Sequence, residues 1–263
     1  MQLHSIRPLA GFESGRGGDA LKIGRVNREG PIAPGRSAGY DLAVLTDSIA
    51  RRRSVPLSFA EPYAGGVLKQ CWGGYLLLRN NDTGVICPDF IEEMMGCLQR
   101  PDAVVVGAKL YFADHLEQHA GIVVGVRGAL AHANQDFSAK REGYLARAVR
   151  PGNFSAVTGA CQMVRRDVFE QVGGYSEEFA VGFNDADFCL RVWEAGYRTI
   201  FTPYAELYHY EFTSRGREEA NEEKMRRWKR EQALFMQRWP EFFLNGDPWL
   251  GQNLSVESEY FSL

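Results

Sequence analysis

An α/β fold, a sheet flanked by helices with an amphipathic helix near its C-terminal end, is predicted by three observations. The apolar runs 75–78 and 104–106 have strand length, and Val104-Val105-Val106 is β-branched throughout. Between them, Pro88 heads a segment in which Phe90, Ile91, Met94, Met95 and Leu98 recur at helical spacing. Further on, 218–239 reads as one long amphipathic helix with Met225, Trp228, Phe235 and Trp239 on a single stripe. Strand, helix and strand in alternation is the pattern of an α/β sheet. With 263 residues, 45% hydrophobic, 24% charged and a net charge of -3, the chain suits one medium-sized domain whose core needs no staples.

Residues 1–36 are rich in Gly, Arg and Pro without sustained periodicity, and a poorly ordered lead-in is expected there. Leu42, Leu45 and Ile49 recur at helical spacing and predict a helix; Pro56 and Pro62 interrupt before a second helix-like stretch, 66–70. The strand 75–78 ends in Arg79-Asn80-Asn81-Asp82-Thr83, a polar cluster that marks the carboxyl edge of a sheet, where open α/β folds bind ligands. A lone Asp there would be a turn residue. Downstream, 119–126 predicts a strand, 134–142 a long polar loop of the kind that forms lids, and 155–164 another strand. Asp167 is expected to cap a short helix that Gly173-Gly174 stops.

Asn184-Asp185-Ala186-Asp187 opens the most informative element. A helix start attracts negative charge, so Asn184 can cap while Asp185 and Asp187 stand at the rim of a cleft, and Arg191 lies one turn beyond Asp187. Capping plus an Asp187–Arg191 pair would by itself account for these residues. A strand over 197–201 and the segment 204–210 then lead to His209 and the turn Thr213-Ser214-Arg215-Gly216.

Five scattered cysteines without a CxxC read as reduced thiols filling the core. Basic residues are interspersed with acidic ones, so no nucleic-acid partner is expected. No run approaches the roughly 18 apolar residues of a membrane-spanning helix and the first residues lack the apolar core of a signal peptide, so the chain is expected in the cytoplasm. Lys224, Arg226, Arg227, Lys229 and Arg230 make one helix face basic, and peripheral contact with anionic lipid at the inner face of the cell membrane stands beside ordinary packing of that helix.

The segments GYLLLRNNDTGVICPDFIEEM, QHAGIVVGVRGALAHA, SAVTGACQMVRRDVFEQVGGYSEEF, VGFNDADFCLRVWEAGYRTIFTPYAELYHYEFTSRG and DPWLGQNLS, in this order, resemble the family 2 glycosyltransferases of GT-A fold. The resemblance is to the bacterial transferases that build O-antigen, capsule and other surface polysaccharides, rhamnosyltransferase-like members included, and it runs from Gly74 to the C-terminal region. It implies a Rossmann-like mixed sheet flanked by helices. It also implies inverting transfer from a nucleoside-diphosphate sugar to a growing surface glycan or a polyprenyl-linked acceptor, with a divalent cation (Mn²⁺ or Mg²⁺).

By this resemblance Asp82 is the metal-binding end of a DxD-type motif, here Asn80-Asn81-Asp82, whose first acid is an amide. His209 is the second metal ligand, and an imidazole favours Mn²⁺ over Mg²⁺. A half-buried strand-end histidine is the alternative. Asp185 corresponds to the catalytic base, the middle of an EDxD-like motif, with Asn184, Asp187 and Arg191 supporting it. Thr158 and Gly159 resemble the floor under the donor sugar. Ser214 and Arg215 would offer a hydroxyl and a guanidinium to diphosphate oxygens, unless they form only a solvated turn. His119 and His132 belong to the matching segments without a chemical role, and nothing in their spacing makes a three-histidine zinc site.

The resemblance divides the chain into the lead-in 1–36 and one domain, 37–263: a donor-binding remnant (37–73), a catalytic core (74–216) and a C-terminal helix and tail (217–263). Over 37–73 the family's second strand, with its acidic end, is missing. A second expectation is therefore a truncated, inactive transferase fragment that binds at most a glycan or a partner chain. A hydrolase using Asp82 and Asp185 as a carboxylate pair is a third, and it leaves His209 without a purpose.

Overall fold

The computed structural model describes residues 74–80, 82–139, 141–210, 222–251, 253–258 and 260–261, with two strands upstream of them. In chain order the strands are β1 (Lys22–Arg25), β2 (Leu42–Asp47), β3 (Tyr75–Asn80), β4 (Thr83–Val85), β5 (Ala103–Tyr111), β6 (Glu117–His119), β7 (Ile122–Val124), β8 (Leu130–His132), β9 (Gly152–Phe154), β10 (Cys161–Arg165) and β11 (Arg198–His209). The helices are α1 (Phe90–Cys97), α2 (Arg166–Gln171), α3 (Asn184–Glu194), α4 (Glu222–Arg238) and α5 (Pro240–Leu244). Among the described residues the main sheet runs β1-β2-β3-β10-β5-β11-β4, with β6 added to β5 and β9 to β11, while β7 and β8 form a separate pair.

Strand directions decide where a site can form. β2 pairs parallel with β3 and β5 parallel with β11, and β10 lies antiparallel between β3 and β5, so β2, β3, β5 and β11 all run the same way. Their carboxyl ends therefore share one edge, which brings Asn80 and His209 to the same side of the sheet. β10 runs back from that edge, so the residues just before it, 158–160, lie there too.

Alternation along the strands separates two cores. Leu77, Val106 and Met163 pack on one face with Phe90, Met94 and Met95 of α1. Leu76, Leu78, Val105 and Val164 pack on the other with Phe188, Leu190 and Val192 of α3 and Phe235 of α4. Because both faces are covered, all nine residues of β5 are buried. Each fully buried Leu or Phe contributes about 1.5–3 kcal/mol.

Several expected elements form differently. Residues 42–47 are a strand rather than a helix: the backbone ladder from Leu42↔Tyr75 to Asp47↔Asn80 outweighs the local helical spacing. The place beside β3 is thus filled, and beyond β2 comes β1, antiparallel, within the stretch expected to be an unstructured lead-in. The stretch 66–70 lies outside the described residues. The single strand expected over 119–126 is two, β6 and β7, broken at Gly121 (φ 103°), where an added Cβ would meet the Phe154 ring at 2.4 Å. Likewise 155–164 is not one strand: β9 ends at Phe154 and β10 begins at Cys161.

Asp167 lies inside the first turn of α2, accepting Val168 N–H at 2.9 Å, and is not its cap. Gly173 (φ 81°) and Gly174 (φ 65°) end α2 as expected. The amphipathic helix ends earlier than expected, since Trp239 is the N-cap of α5, and its buried stripe includes an acid, Glu231. Arg226, Lys229 and Arg230 are exposed on α4. Among the described residues no helix is long and apolar enough to cross a membrane.

Candidate functional site

The turn from β3 into β4 is shaped by Arg79. Its Nε donates to Thr83 Oγ1 (2.5 Å) and its Nη2 to Thr83 O (2.7 Å), and the Thr83 hydroxyl donates to Asn80 O at 2.8 Å. β4 then pairs with the end of β11, His209 opposite Thr83, and Tyr210 N donates to Asp82 O at 2.9 Å. These backbone constraints put His209 Nε2 3.3 Å from Asp82 Oδ1 and 3.1 Å from Asn80 Nδ2. Asn80 Oδ1 is buried and bonds to none of the described residues. Among the described residues no three His, Cys, Asp or Glu side chains gather as a metal site, so the donor set here is one carboxylate, one imidazole and an amide.

The segment before β10 joins this group to α3. Asn80 N donates to Ala160 O at 2.9 Å, and Gly159 N donates to Asp185 Oδ2 at 2.9 Å. Thr158 Oγ1 accepts Ala160 N–H, and Thr158 N donates to His119 Nε2 at 3.4 Å. Asp82, His209, Thr158, Gly159 and Asp185 therefore line one continuous edge. Asn81, Ser214 and Arg215 lie outside the described residues.

The start of α3 is held in an unusual way. Its N-cap is Phe183, with φ 64°, and not Asn184; Asn184 is the first helical residue and accepts Asp185 N–H at 2.7 Å. A left-handed phenylalanine is strained, and two rings of α4 hold it, Trp228 at 5.8 Å and Phe235 at 5.2 Å between centroids. Asp185 is half-buried, its Oδ1 accepting Ala186 N–H at 2.9 Å.

Asp187 is fully buried and forms the expected pair with Arg191 (Nε to Oδ2, 2.9 Å). Its other oxygen accepts Arg238 Nη1 and Trp239 Nε1, each at 3.1 Å. Arg191 also donates to the carbonyls of Val172 and Gly174, which ties the end of α2 to α3. Glu231, buried on α4, accepts Ala180 N–H at 3.1 Å and Gly182 N–H at 2.8 Å. Sequence reasoning missed these α4 anchors. A carboxylate on the apolar stripe was the available signal.

His119 and His132, without a role in the sequence, meet Nδ1 to Nδ1 at 3.0 Å. His119 Nε2 accepts two backbone N–H groups, Gly121 at 3.3 Å and Thr158 at 3.4 Å, so the His119 proton is on Nδ1 and is shared with His132. Burial, followed by the neighbouring His132, holds His119 well below the usual imidazole range. Burial lowers His132 as well, against the opposing charge of Asp185. The pair is thus a neutral support under Thr158. Burial pushes the Cys161 and Cys189 thiols up to about 12, which keeps them inert core fillers as expected.

Comparison with known proteins gives a family. A model described as glycosyl transferase family group 2 matches residues 82–251. The uncharacterized protein y4gI of Sinorhizobium fredii is 42% identical over 195 residues, 74% of this chain and 21% of that protein. The O-antigen biosynthesis protein RfbC of Myxococcus xanthus is 38% identical over 151 residues, 56% of this chain and 12% of that protein. The chain thus spans about a fifth or less of the length of these relatives. A solved structure of GalNAc-T7 with UDP, GalNAc and Mn²⁺ is similar at a TM-score of 0.43 and 11% identity, covering 71% of this chain and 44% of that one.

Proposed function

The chain belongs to glycosyl transferase family 2, and from that membership we propose that it transfers a sugar, with inversion, from a nucleoside-diphosphate sugar to a hydroxyl of a surface glycan or lipid-linked acceptor. The observation that carries this reading is the convergence of Asp82, His209 and Asp185 on one sheet edge, bridged by residues 158–160.

Asp185 is the base in this reading. Gly159 N–H and Ala186 N–H each occupy one of its oxygens, which fixes the carboxylate plane and leaves lone pairs for the acceptor proton. A single base acting on an in-line attack inverts the anomeric carbon. Asn80, Asn81, Thr158 and Gly159 would contact the donor, with Ser214 and Arg215 on its diphosphate.

The residues present fit a divalent cation. His209 Nε2 and Asp82 Oδ1 face each other across 3.3 Å, and a buried Asn80 Oδ1, without a partner among the described residues, lies in the same cluster. When bound, Mn²⁺ or Mg²⁺ would neutralise charge on the departing diphosphate. Mixed imidazole and oxygen donors favour Mn²⁺. So few protein ligands leave room for diphosphate oxygens, and nucleotide and cation are expected to bind together.

Calorimetry with dTDP, UDP and GDP, with and without Mn²⁺, tests this. One nucleotide is expected to bind only with Mn²⁺, and His209→Ala to weaken it about tenfold or more, the equivalent of about 1.4 kcal/mol. Equal, metal-independent binding of all three, or none, would sink the reading.

A lipid-linked acceptor would bring the chain to the cytoplasmic face of a membrane, where the exposed Arg226, Lys229 and Arg230 of α4 could each add about 1 kcal/mol of attraction to anionic lipid. Flotation with phosphatidylglycerol liposomes at low salt is expected, and loss of it when all three become Gln. Absence of flotation for the unaltered chain removes the membrane contact and leaves the transfer reaction standing.

A further inference from the structure

We propose that Gln118 is a positioning residue that locks the His209 ring in one tautomer, with its proton on Nδ1 and the Nε2 lone pair turned toward Asp82 and Asn80. The proposal rests on the reading of His209 as a cation ligand for its purpose, and on the geometry alone for its mechanism.

β6 places Gln118 by an irregularity. Its ladder with β5 pairs Leu110 with His119 and Tyr111 with Glu117, so two consecutive residues of β5 face three of β6 and Gln118 is the extra one. A bulged residue of this kind is re-aimed out of the normal strand alternation. Gln118 is buried, and the two ends of its amide both reach His209: Oε1 to Nδ1 at 2.7 Å and Nε2 to the backbone O at 3.3 Å.

The second of these contacts decides the first. A backbone carbonyl only accepts, so the amide nitrogen must face His209 O, and the amide oxygen is left facing the ring. An oxygen facing Nδ1 requires a proton on Nδ1. In the neutral ring Nε2 is then bare, and it points to Asp82 Oδ1 at 3.3 Å and accepts from Asn80 Nδ2 at 3.1 Å. Turning the amide over would set two oxygens against each other at 3.3 Å, so the alternative tautomer would leave a bare Nδ1 against the Gln118 oxygen at 2.7 Å with no proton between them. A lone pair opposed to a carboxylate is the arrangement a cation requires, and histidines that hold metals are commonly fixed through the other ring nitrogen.

The test reads the ring directly. Long-range proton–nitrogen spectra of protein labelled with ¹⁵N-histidine, without metal and at neutral pH, distinguish the two tautomers and the doubly protonated ring; His209→Asn identifies the signal among the five histidines. The unaltered protein is expected to show Nδ1–H with bare Nε2. Gln118→Met, similar in volume but without an amide, is expected to lose that preference. Gln118→Asn, too short to reach both atoms, is expected to behave as the Met variant does, and it serves if the Met variant does not fold. Gln118→Glu keeps an oxygen on Nδ1 and is expected to retain the tautomer.

Titration with Mn²⁺ alone is expected to show affinity lowered about tenfold or more in the Met and Asn variants and far less in the Glu variant. A proton on Nε2 or on both nitrogens in the unaltered protein, or an unchanged tautomer in both the Met and Asn variants, overturns the proposal. Loss of the tautomer in a protein that binds no Mn²⁺ at all would support the role of Gln118 and overturn the cation reading instead.

Discussion

Replacing Asp185 by Asn is expected to cut turnover roughly 10²–10⁴-fold while leaving nucleotide affinity within about twofold of the original, the span assigned to loss of a positioned general base. The asymmetry follows from the site. Asn keeps the size of the side chain and an oxygen for Gly159 N–H, so the bridge from α3 to residues 158–160 and on to Asn80 survives. What disappears is the capacity to take up the acceptor proton. Asp82 and His209, which the nucleotide would use, lie at the ends of β3 and β11 and do not depend on that proton acceptor. Rates of nucleotide release with a matched donor and acceptor, set beside calorimetric affinities for the same variant, separate the two effects. Turnover at the original rate would place the base elsewhere.

Asp187→Ala is expected to produce the largest loss of stability, about 3–5 kcal/mol, the range for removing one partner of a buried charge network. Asp187 is fully buried, and its two oxygens satisfy Arg191, Arg238 and the Trp239 indole. Without it, the buried Trp239 N–H loses its acceptor, and the Arg191 and Arg238 guanidiniums lose the carboxylate they share. Glu178, the exposed second partner of Arg238, provides the comparison, since its replacement by Gln removes a solvated contact and should shift stability little. Urea unfolding decides the matter: the Ala variant should lower the midpoint strongly at unchanged slope. A midpoint close to the original would mean that α4 does not hold α3 through this carboxylate.

Much of the sheet edge was legible because its signals are local. The apolar run of β3 followed at once by Asn80-Asn81-Asp82, the β-branched start of β5, and Asp187 four residues before Arg191 can each be read within a ten-residue window. The elements that were misread depend on distant partners. Residues 42–47 carry a helical spacing, yet their backbone is claimed by β3, some thirty residues on. Asn184 has the chemistry of a cap, but α4 packs against Phe183 and moves the helix start by one residue. Glu231 and Arg238 look like ordinary charges on a polar helix, and only packing against 178–187 turns them into anchors. Gln118 was hidden for a related reason, since a bulge cannot be read from one strand alone.

The grip of α4 on the start of α3 also orders events in time. The acid-bearing turn is fastened by Glu231, 49 residues after Gly182, and by Trp239, 52 residues after Asp187. Contacts at that separation close late in folding, because the intervening loop must be formed before they return any energy. On a ribosome, Asp185 would emerge and sample loose arrangements until the stretch through Trp239 had cleared the exit tunnel. The chemistry of this protein would thus switch on abruptly once that stretch is free to pack, well after the acid itself has been made.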